Sequence, residues 1–140
     1  MGRIVAIDYG QKRVGIAVTD ELRMIAVPLT TVHSKDVIVF LKDYVSCENV
    51  DCFVVGYPLT LQNNLSESAR FTEPFVKHLQ RTFPQITVDR MDERFTSKMA
   101  TAAILESGAK KKTRQDKALI DKVSAVLILQ SYLEMKAMQH

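Results

Sequence analysis

Apolar residues fall along this chain in two rhythms, and the change from one to the other divides it. Over the first third they run together or alternate. Ile4-Val5-Ala6-Ile7 is a continuous apolar run, so residues 3–8 are expected to form a strand. Tyr9-Gly10-Gln11-Lys12 reads as a turn, with Gly10 supplying a permissive backbone. Val14, Ile16 and Val18 then alternate with Gly15, Ala17 and Thr19, which predicts a second strand over 14–19. A third is expected over 24–32, where Pro28 implies an edge position or a bulge. Three successive strands most simply form an antiparallel meander.

The period then lengthens. Val37, Phe40, Leu41 and Tyr44 recur at helical spacing. Cys52-Phe53-Val54-Val55 is a short apolar run of the kind buried on both faces of a sheet. Ser66 is placed to cap a helix running to about Thr82, in which Pro74 implies a kink or a later start. Residues 86–91 alternate as a fifth strand. Thr96 or Ser97 caps a helix stopped by Gly108, and a last helix runs from Ala118 to about Met135. The order β-β-β-α-β-α-β-α-α means an α/β fold with a mixed sheet.

Against these elements, the positions of the acids stand out. Asp8 ends the first strand, Asp92-Glu93 follow the fifth, and Asp121 lies in the first turn of the last helix. Each has an ordinary explanation alone: a turn hydrogen bond for Asp8, an ion pair with Arg94 for Glu93, the helix dipole for Asp121. Three carboxylates delivered from two strand ends and one helix also suit a hard divalent cation that activates water against phosphodiesters. Adjacent residues of a strand point apart, so Asp92 is either a fourth acid or an outward neighbour of Glu93. Positions 121, 124, 125 and 128 share a helix face, and small Ser124 and Ala125 would let that helix approach the sheet closely.

Composition narrows the picture further. The chain has 140 residues, 46% hydrophobic and 25% charged, as expected of one globular domain spanning 1–140. No apolar stretch approaches membrane-spanning length, and the first residues lack the pattern of a signal peptide, so a cytoplasmic protein with no membrane partner is expected. Cys47 and Cys52 agree with a reducing compartment, and two cysteines with scattered histidines do not make a zinc site. Net charge is only +3, but Lys110, Lys111, Lys112, Arg114 and Lys117 form a dense basic segment and Lys12-Arg13 a second. Beside an acidic metal site, such charges hold a polyanion. Aromatic residues form no cluster along the chain, so stacking of single-stranded bases is not expected.

Four local motifs, in order, resemble one family. Asp8-Tyr9-Gly10-Gln11-Lys12-Arg13-Val14-Gly15-Ile16-Ala17 is similar to the opening motif of the YqgF/RuvX family of Holliday-junction-resolvase-like proteins and candidate pre-16S ribosomal RNA nucleases. Val54-Val55-Gly56-Tyr57-Pro58-Leu59, Asp92-Glu93-Arg94-Phe95-Thr96-Ser97 and the helix from Ile120 to Leu133 resemble its later motifs. The loop over 61–68 departs from the family's commoner glycine-containing sequence.

The resemblance implies a ribonuclease H-like mixed five-stranded sheet, an antiparallel meander followed by parallel strands, flanked by helices. It implies Asp8, Glu93 and Asp121 as catalytic metal ligands for one or two Mg²⁺ or Mn²⁺ ions. Lys12, Arg13 and Arg94 become candidates for phosphate contacts, with Lys110, Lys111, Lys112 and Arg114 tracking the nucleic-acid backbone. The expected activity is endonucleolytic 5′-end processing of pre-16S ribosomal RNA, free or in a precursor particle, by a monomer or weak homodimer. Resolution of branched DNA and non-cutting RNA binding in ribosome assembly are the alternatives. An actin-like or sugar-kinase ATPase shares the Asp-x-Gly turn but needs two such domains.

Overall fold

The computed structural model describes residues 2–10, 12–20, 22, 25–57, 69–92 and 117–138. Its elements are β1 (Arg3–Tyr9), β2 (Arg13–Thr19), β3 (Ala26–His33), α1 (Val37–Cys47), β4 (Val50–Tyr57), α2 (Ala69–Thr82), β5 (Thr87–Asp92) and α3 (Lys117–Met138). The five strands form one sheet in the order β3-β2-β1-β4-β5. β1 to β3 are the expected antiparallel meander, and β4 and β5 add in parallel to β1. The helix expected over 96–108 lies outside the described residues.

Pro28 behaves as its chemistry requires. β3 is an edge strand, and its register with β2 slips between Ile16 and Ala17, where Thr30 and Pro28 are the successive partners and Leu29 is passed over. β4 is longer than its apolar run, because Val50, Asp51, Gly56 and Tyr57 also belong to the strand. Asp51 has a local reason to be there: its carboxylate accepts the Gly2 N–H at 2.8 Å. Helix α2 continues through Pro74.

Strand alternation sorts the core into two layers. Val5 and Ile7, Val14 and Ile16, and Phe53 and Val55 pack with Val37 and Leu41 of α1 and with Phe75, Val76 and Leu79 of α2. Ile4 and Ala6, Ala17, and Cys52 and Val54 pack with Ala125, Ile128, Leu129 and Tyr132 of α3. The second layer is built from small residues. Ala6, Ala17 and Ala125 are fully buried and Ser124 nearly so, and α3 runs across β1, β2 and β3. The close approach anticipated from Ser124 and Ala125 is what this layer contains.

Candidate active site

Parallel strands end together, so the carboxyl ends of β1, β4 and β5 share one edge of the sheet. Asp8 sits at that edge. It has the parity of Ile4 and Ala6, which puts its side chain on the face covered by α3. Its partner on β2 is Gly15. Continuing the Ile7–Val55 pairing by one residue brings Gly56 level with it on β4. Directly opposite residues share a face, so Asp8 has no side chain beside it on either neighbouring strand.

The turn that follows Asp8 is tight. The Gly10 N–H donates to the Arg13 carbonyl at 2.9 Å, and a Cβ on Gly10 would stand 2.6 Å from that oxygen. The turn returns the chain to β2 with Lys12 and Arg13 exposed at the same edge. Arg13 has the parity of Gly15 and therefore the face of Asp8. The Lys12 carbonyl accepts the Ser34 N–H at 3.1 Å, tying this turn to the chain between β3 and α1.

Asp121 lies in the second turn of α3, one turn before Ala125, which packs against the sheet. Its backbone is described and its side chain is not. Asp92 closes β5 on the same terms. Glu93, Arg94, Lys110, Lys111, Lys112 and Arg114 lie outside the described residues. Cys47 is exposed at the end of α1 and Cys52 is buried in β4, so the two thiols have separate surroundings.

Two polar groups in β5 were not assigned from sequence, and both prove to be ties between layers. Asp89 has the parity of Met91, which packs against the α3 layer, and accepts a short hydrogen bond from the Tyr132 hydroxyl of α3. The Cys52 thiol lies 3.9 Å from the same carboxylate and 3.8 Å from the hydroxyl. Burial, then the hydrogen bond to Asp89, pushes the Tyr132 phenol well above its ordinary value. Arg90 turns to the other face. Its guanidinium meets the Glu73 carboxylate of α2 through two bonds of 2.9 and 3.0 Å and reaches the Val55 and Gly56 carbonyls at 3.4 and 3.3 Å. Adjacent opposite charges in the middle of a strand cannot pair with each other, because they point apart. That is the signal in Asp89-Arg90, and each residue needs a partner from a different layer. Together they fix the end of β5 to α3, α2 and β4.

The RuvX family, described as Holliday junction resolvase, matches residues 2–135 of this chain. A protein of Parabacteroides distasonis named as a candidate pre-16S rRNA nuclease is 57% identical over 99% of both chains. One of the same name from Porphyromonas gingivalis is 54% identical over 96% of this chain and 97% of its own. Among solved structures, the fowlpox virus resolvase with Holliday junction DNA superposes with a TM-score of 0.62 at 14% identity, covering 96% of this chain and 98% of that one. T. thermophilus RuvC with its junction substrate gives 0.57 at 16%, covering 96% of each. Likeness at such low identity shows the fold, which is ribonuclease H-like.

Proposed function

Because the chain belongs to the RuvX family, a family of nucleases, we propose that it is a metal-dependent endonuclease whose substrate is the 5′ region of precursor 16S ribosomal RNA. The observation that carries the chemistry is Asp8, at the end of the central strand, with Gly15 and Gly56 on either side and Arg13 on the same face. The substrate is carried by the names of the relatives at 57% and 54% identity.

Asp8, Glu93 and Asp121 would hold the divalent cation, Mg²⁺ or Mn²⁺. The donor set fits: carboxylate oxygens are the ligands such hard ions prefer. A cation bound there supplies Lewis acidity toward water and the phosphodiester. Adjacent residues of a strand point apart, and of the Asp92-Glu93 pair the family motif implies Glu93 as the ligand. Strands β1 and β5 are two strand spacings apart, about 10 Å, with β4 between them, and α3 packs on the face that Asp8 shares. Lys12, Arg13 and Arg94 contact phosphates and balance the acids. The basic segment from Lys110 to Lys117 holds the flanking backbone.

The test is incubation of purified protein with Mn²⁺ and three substrates: precursor 16S RNA, an unstructured single-stranded RNA and a four-way DNA junction. Cleavage of the precursor alone is expected. Cutting of the junction instead would make the protein a DNA resolvase, and cutting of none with intact RNA binding would make it an assembly factor.

A further inference from the structure

Tyr9 follows Asp8 and points the other way. It stacks on Phe75 of α2 with ring centroids 4.3 Å apart and planes inclined by 15°. Around this pair a cavity of about 310 Å³ opens to solvent between the starts of α1 and α2, lined by Tyr9, Lys35, Phe71, Pro74, Phe75 and His78 among others. Its volume is at the lower end for small-ligand pockets, about 300–1,000 Å³. Phe71 is 40% exposed although it is a large apolar ring.

We infer that this cavity receives an unpaired nucleobase of the strand held at Asp8, an inference that presupposes the nuclease reading of that site. The lining has the chemistry for a base: aromatic faces and a proline ring for its flat surface, with exposed Lys35 and His78 at the rim. Base–aromatic stacking contributes about 1–3 kcal/mol per base and tolerates every sequence. The position fits as well. Consecutive Cα atoms are about 3.8 Å apart, so the acid and the ring stand on opposite sides of one strand end. A nucleotide likewise carries its phosphate and its base on opposite sides of a sugar. A chain crossing this edge can lay a phosphate toward Asp8 and a base into the cavity. The charge around the edge is complementary to such a chain: among the described residues Lys12, Arg13, His33 and Lys35 are exposed there, with Asp36 an exposed acid beside them.

The experiment is binding in EDTA, where no cutting occurs, of a short oligoadenylate and of a ribose-phosphate oligomer of equal length without bases. Phe71→Ala should weaken binding of the oligoadenylate about tenfold and leave the base-free strand unchanged. Phe71→Trp should retain the preference for bases. Phe71→Leu keeps apolar bulk without the ring and should lose that preference, which guards against a folding defect in the alanine variant. Equal weakening of both strands, or no change in either, would overturn the base pocket. A protein that stacks bases through Phe71 yet cuts no precursor would instead sink the nuclease reading alone.

Discussion

Asp8 owes its place to what its neighbours lack. Gly15 and Gly56 contribute no side chains to the face it occupies, so neither neighbouring strand sets a side chain against this carboxylate. Asp8→Asn removes the charge of the proposed ligand while keeping the shape. Loss of a group that merely supports a metal ligand costs about 10- to 100-fold, so if Asp8 binds the cation directly, as proposed, the variant is expected to lower cleavage by more than about 100-fold. Stability without metal should hold or rise, because repulsion among neighbouring acids eases. Single-turnover cleavage and thermal melting measure the two effects, and full activity in the variant would remove Asp8 from the site. Gly10 makes a second case. A methyl group there meets the Arg13 carbonyl at 2.6 Å, and this contact is backbone against backbone. Gly10→Ala should cost about 1–3 kcal/mol in urea unfolding and lower activity with it, since the same turn places Asp8 and Arg13.

Elements are held at the site by the two ties from β5. Tyr132 to Asp89 joins α3 to β5, and Arg90 to Glu73 joins β5 to α2. Tyr132→Phe leaves the Asp89 carboxylate without its hydroxyl donor, a loss of about 1–3 kcal/mol. The pH dependence follows from the same bond. The folded phenol titrates above the unfolded value of about 10, so its contribution is complete below that pH and is lost as pH rises beyond it. Tyr9 and Tyr44 are raised in the same direction, chiefly by burial. Alkaline unfolding midpoints should therefore fall less steeply above pH ~10 in Tyr132→Phe than in the parent, without becoming flat. An unchanged slope would mean that the hydroxyl is not the group that titrates.

Across the whole molecule, the net charge is only +3, so the proposed grip on a polyanion depends on how the basic residues cluster along the chain. Neutralising Lys110, Lys111 and Lys112 together is expected to weaken RNA binding for every sequence. It should flatten the slope of log affinity against log salt by about 2, since each phosphate contact on a single strand contributes about 0.7. Turnover at saturating substrate should change much less. An unchanged salt slope would show that the segment is an ordinary solvated surface.

What the sequence determined by itself is local and periodic. The meander, the bulge at Pro28, the close packing at Ala125 and the acid at the end of β1 all follow from alternation, turn chemistry and side-chain size, which act between residues near in the chain. The tertiary structure decided whatever depends on distant segments meeting. Asp89 and Tyr132 are 43 residues apart, and no pattern in either segment names the other. Tyr9, Phe71 and Phe75 are scattered along the chain and gather only when α2 folds back beside the end of β1. Spacing along a strand or helix fixes which face a residue occupies. Which residue from elsewhere faces it depends on sheet order and helix packing, and these are set by burial of the whole core.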